Sequence, residues 1–62
     1  MYTIEYSRNG QWVNAVTAFS CKGSYNNYSE AYDTIIELTY NNPSFAYRLV
    51  QIHRIMYNGQ II

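Results

Sequence analysis

The stretch NYSEAYDTIIELTYNNP, residues 27–43, decides the fold. Asn27 followed three residues later by Glu30 is a capping-box pattern. The Asn side chain accepts from the first-turn amides while the Glu carboxylate reaches back. Tyr28, Ala31, Tyr32, Ile35, Leu38 and Thr39 then recur at helical spacing on one face, and Ser29, Glu30, Asp33, Glu37 and Asn41 hold the other. Pro43 drives Asn42 out of the helical region, so the helix stops there. An amphipathic helix with one apolar face needs a sheet to cover.

The flanking segments supply that sheet. From Met1 to Ser7 the chain alternates, with Tyr2, Ile4 and Tyr6 on one side and Thr3, Glu5 and Ser7 on the other, as in a half-buried strand. Asn9-Gly10 is a hairpin turn, since both residues tolerate positive φ. A second strand from Gln11 to about Phe19 returns alongside the first. Two registers compete. A two-residue turn sets Tyr6 opposite Val13 and Trp12 opposite Ser7, off the core face. A three-residue loop with a bulge sets Tyr6 opposite Trp12 and brings Trp12 and Val16 into the core. The bulged register buries more apolar surface and is the expected one; the tight register avoids pointing Asn14 inward.

Ser20 to Asn26 is a polar loop with Gly23 as its turn residue. Beyond the helix, Ser44 to Tyr57 reads as one long strand. Its apolar parity shifts between Leu49 and Val50, which calls for a bulge or for cover on both faces. Asn58-Gly59 is a second hairpin signal, with Gln60-Ile61-Ile62 returning as a short edge strand. The expected architecture over residues 1–62 is a single small α+β domain of order β-β-α-β. A three-stranded antiparallel sheet of order 2-1-3, with that optional fourth strand, carries one helix across one face. Its core is drawn from Tyr2, Ile4, Tyr6, Phe19, Ala31, Ile35, Leu38, Tyr47 and Leu49.

Composition narrows the function. Apolar residues make up 48% of the chain and charged residues 13%, which argues against disorder. A core this small commonly needs a staple, and the single cysteine, Cys21, cannot form an internal disulfide, so a homodimer is one way to complete it. No basic start or apolar core marks a signal segment, and no apolar run approaches the ~20 residues of a membrane span. The expectation is a cytoplasmic protein with no membrane partner. A formal net charge of zero disfavours nucleic acid, whose binders show a basic excess.

Catalytic and metal chemistry have little to stand on. His53 and Cys21 are the only imidazole and thiol, and a Cys-His pair oriented by Glu5 is the one nucleophilic arrangement the residues offer. The simpler reading is a loop thiol and a strand histidine. No Cys/His spacing suits a metal, and the glycines lie apart at turns rather than in a phosphate loop, so no enzyme activity and no cofactor are expected. The stripe of Glu30, Asp33 and Glu37 reads first as a solvated face that favours the helix N-terminus, and second as a partner-binding stripe. Eight tyrosines, one tryptophan and two phenylalanines remain. Tyr, Trp and Arg are the side chains enriched at binding hot spots. The candidate partner-binding residues are Trp12, Arg48, Arg54, Tyr25, Tyr40 and Tyr57.

A strand, Asn9-Gly10-Gln11-Trp12, a second strand ending at Phe19, a polar loop, a helix containing S-E-A-Y and then N-N-P-S-F-A-Y-R-L-V-Q-I resembles the very small proteins encoded by tailed bacteriophages. In order and length it is similar to the family of T7-like phage inhibitors of host RNA polymerase. In that family charged residues on the last strand, arginines among them, meet the polymerase. Arg54, within V-Q-I-H-R, falls at a comparable place, and the neighbouring basic position is not matched. The resemblance implies a non-catalytic protein that binds a bacterial host protein, in the transcription machinery or in a CRISPR-type defence complex, and blocks or redirects it sterically. A small nucleic-acid-binding regulatory module and a homodimeric structural protein are the alternative readings.

Overall fold

In the computed structural model, which describes residues 1–51 together with the backbone of residues 54–59, four strands and one helix follow in the order β-β-α-β-β. The strands are β1 (Thr3–Arg8), β2 (Gln11–Asn14), β3 (Tyr47–Gln51) and β4 (Arg54–Gly59), and the helix is α1 (Tyr28–Asn41). The sheet is antiparallel with order β2-β1-β3-β4, so the expected 2-1-3 arrangement forms its first three strands. This is a small α+β fold with the helix across one face.

The first hairpin takes the tight register. Asn9 and Gly10 have φ of 53° and 79°, the two positive values of a type I′ turn. Arg8 faces Gln11, Ser7 faces Trp12 and Tyr6 faces Val13. The expected bulged register is therefore corrected, and with it the placing of Trp12 and Val16 in the core: Trp12 points to the opposite side of the sheet and Val16 is exposed. The physical reason lies in Asn14. Its Oδ1 accepts from the Val16 amide at 3.0 Å, its Nδ2 donates to the Gly23 carbonyl at 3.1 Å, and its own carbonyl accepts from Thr17 Oγ1 at 2.8 Å. An inward Asn14 side chain would forfeit its two bonds and bury an amide unsatisfied. As the cap of a 3-10 turn over Ala15–Thr17, Asn14 also ends β2 well short of Phe19.

The helix begins and ends where its sequence signals lie. Asn27 Oδ1 accepts from the Glu30 amide at 2.8 Å, and the Asn42 amide donates to the Leu38 carbonyl at 2.8 Å just before Pro43. The Glu30 carboxylate does not complete the capping box; it pairs with Lys22 Nζ at 2.8 Å and ties the preceding loop to the first turn. Ala31, Ile35 and Leu38 are buried against β3 and β1.

The core joins Ile4 and Tyr6 to Tyr47 and Leu49, which pair directly across β1 and β3, and to the three helix residues. Ala15 and Tyr25 are buried there too, Tyr25 although its sequence surroundings are polar. Tyr2 and Phe19 are only partly buried at its margin. Edge-to-face rings of Tyr6, Phe19, Phe45 and Tyr47, with centroids 5.0 to 5.9 Å apart, close one end.

The expected long strand Ser44 to Tyr57 is two strands. β3 and β4 pair antiparallel, Gln51 opposite Arg54, so the fourth strand arises from this division. Asn58 and Gly59 lie inside β4, opposite Arg48 and Tyr47, and are not a turn. The register does shift between Leu49 and Val50, where the parity break stands: Leu49 faces Tyr57 and Val50 faces Ile55. The expected edge strand at Gln60-Ile61-Ile62 lies outside the described residues.

Candidate protein-binding face

One helix covers one side of the sheet, and the other side is formed, among the described residues, by strand side chains. Because strand residues alternate, that open side carries Thr3, Glu5 and Ser7 from β1, Trp12 and Asn14 from β2, and Arg48 and Val50 from β3. All seven are half-buried. The register places Glu5 opposite Arg48, and the two form an ion pair: Glu5 Oε1 accepts from Arg48 Nε at 2.7 Å and lies 2.7 Å from Nη2. The pair is 25% and 23% exposed on the Glu and Arg sides, so water screens it only in part. The Arg48 guanidinium then extends over the Trp12 ring, its central carbon 4.4 Å from the ring centroid.

The arrangement has clear chemical consequences. Trp12 gains the apolar cover that the core would have supplied, from the flat face of a guanidinium rather than from aliphatic neighbours. The charge of Arg48 is neutralised by Glu5, so the described side chains of this face are electrically balanced. Glu5 Oε2 and Arg48 Nη1 have no partner among the described residues and can meet a donor and an acceptor.

The structure brings together Trp12 and Arg48 of the six candidates. Tyr40 is 85% exposed, but on α1, behind the sheet. Tyr25 is 4% exposed and belongs to the core, so it presents no surface to a partner. Its backbone pairs with Tyr2 through bonds of 2.8 and 2.7 Å, and its phenol oxygen accepts from the Lys22 amide at 3.1 Å. The side chains of Arg54 and Tyr57 lie outside the described residues. Glu5 is the site residue that sequence reading missed. Its outward parity was legible, but its meeting with Arg48, 43 positions away, depends on the β1–β3 register.

The Cys-His arrangement finds no support from Glu5, which is committed to Arg48 across the sheet from Cys21. Cys21 packs against the core margin, where burial pushes its thiol up, partly offset by a hydrogen bond with Tyr25. His53 lies outside the described residues. Among the described residues no group of three His, Cys, Asp or Glu is placed to hold a metal ion, and no helix is long and apolar enough to cross a membrane. No protein-family model, curated protein or solved structure matches the chain.

Proposed function

We propose that this is a non-catalytic interaction protein whose open sheet face docks on a bacterial host protein and blocks or redirects it sterically. The observation that carries the reading is the Trp12–Arg48–Glu5 cluster. A tryptophan and an arginine, the residue types that dominate binding hot spots, lie side by side on the uncovered face. Arg48 is held by Glu5 and Trp12 before any partner arrives, so little side-chain freedom is left to lose on docking. A nucleic-acid strand is a poorer occupant. Its phosphates would compete with Glu5 for a guanidinium already paired, on a chain of zero net charge.

The resemblance to small phage proteins makes host transcription machinery and defence nuclease complexes the first targets to try. The test is affinity capture from bacterial lysate with the wild-type chain and with Trp12→Ala and Arg48→Ala. A specific host protein retained by the wild type and lost with either variant is expected, each truncation costing at least ~2 kcal/mol of binding. Retention by both variants alike would remove the sheet face from the reading.

A further inference from the structure

An exposed apolar ridge away from the sheet lies on α1. Tyr28, Tyr32, Ile36 and Tyr40 recur at every fourth position and form one ridge along the helix, the spacing by which one helix seats in the groove of another. Tyr28 and Tyr32 stack with centroids 6.0 Å apart, and the ridge continues through Ile36, 46% exposed, to Tyr40, 85% exposed. Asp33 and Glu37 border it, each three positions before Ile36 or Tyr40. The ion pairs separate these two acids from the rest. Of the four carboxylate side chains, Glu5 is bound to Arg48 and Glu30 to Lys22, while Asp33 and Glu37 have no ion pair among the described residues. A chain with no net charge thus carries, among the described residues, two carboxylates without an ion pair beside the exposed Ile36 and Tyr40.

We propose that this ridge is a second docking surface, independent of the sheet face, and that its occupant is a basic amphipathic helix of another protein. The apolar stripe of such a helix would cover Ile36 and Tyr40, and its flanking Lys or Arg residues would meet Asp33 and Glu37. A second copy of this chain does not fit. Helix laid on helix, it would set Asp33 and Glu37 against the same two residues, and α1 itself carries no lysine or arginine to meet them.

The test titrates the full chain into two fluorescent helical peptides of the same length and apolar stripe, one flanked by lysines and one by glutamates, and reads anisotropy. The lysine peptide is expected to bind and the glutamate peptide not. Combined Ile36→Ser and Tyr40→Ser should weaken binding at least about tenfold. Combined Asp33→Asn and Glu37→Gln should remove most of its salt dependence. These positions are exposed, and circular dichroism of each variant checks that the fold is kept. Trp12→Ala should bind as the wild type does. Equal binding of both peptides, no binding of the lysine peptide, loss of binding in Trp12→Ala, or a dimer in sedimentation that the Ile36/Tyr40 variant dissociates would each overturn the proposal.

Discussion

The Arg48 guanidinium lies 4.4 Å from the centre of the Trp12 ring although their strands, β3 and β2, are separated by β1. The side chain crosses that middle strand, and Glu5, on β1, holds it on the way by a hydrogen bond and an ion-pair contact, each at 2.7 Å. Three strands are therefore linked on the open face by one arginine. If the contact contributes to stability, a double-mutant cycle with Trp12→Ala and Arg48→Ala should show a coupling of about 1 kcal/mol, between the exposed and the desolvated limits for such pairs. Urea unfolding of the four proteins measures it. Additive losses would mean that the two groups are neighbours without mutual stabilisation.

Gly10 is the second point of leverage, because with Asn9 it forms the type I′ turn that joins β1 to β2, with a φ of 79°. A Cβ there meets nothing within 4 Å, so the effect of Gly10→Ala is purely conformational. It should cost about 1–2 kcal/mol. D-alanine at the same position, accessible by chemical synthesis of so short a chain, should recover the lost stability. Thermal unfolding of the two forms distinguishes backbone strain from any steric effect.

The helix start rests on Asn27. Replacing it with Ala removes the acceptor of the Glu30 amide and should cost about 1 kcal/mol, whereas Asp or Ser should keep most of the stability. Glu30→Ala should cost less, since its carboxylate serves an exposed pair with Lys22 rather than the cap. The reverse order of losses would show the capping box in operation after all.

Tyr47 makes the fold sensitive to alkali. Burial pushes its phenol above the ordinary value of 10.0, and the neutral hydroxyl donates to the Asn42 carbonyl at 2.9 Å. Above pH 10 the unfolded chain releases this proton more readily than the folded one. The stability that Tyr47 contributes is therefore complete below pH 10 and is lost as pH rises through the higher folded value. Tyr47→Phe should be less stable than wild type at pH 7 by about 1 kcal/mol, and the difference should shrink as pH rises above 10. Unfolding midpoints from pH 7 to 11 follow it; a constant gap would detach the alkaline loss from this residue.

The elements with local signals were legible. Asn27, the spacing of Ala31, Ile35 and Leu38, and Pro43 each act within one or two helical turns, so the helix stands where its sequence places it. The alternation of β1, the turn at Asn9-Gly10 and the irregularity between Leu49 and Val50 are local in the same sense. The division of 44–57 into two strands was not, since β-forming residues run on through the point where the chain doubles back. Tyr25 was misread for a related reason. Its neighbours are polar, and only the bridge to Tyr2 draws it inside.

What the sequence by itself determined is a helix with one apolar face and strands alternating to receive it. Only the tertiary structure decided what lies on the other side of the sheet. Area alone favoured burying Trp12, because sequence shows how much apolar surface a side chain has but not what else can cover it. Asn14 turned the register by needing partners for both ends of its side-chain amide, and Arg48, brought beside Glu5 by the β1–β3 pairing, covered the tryptophan that this register left outside.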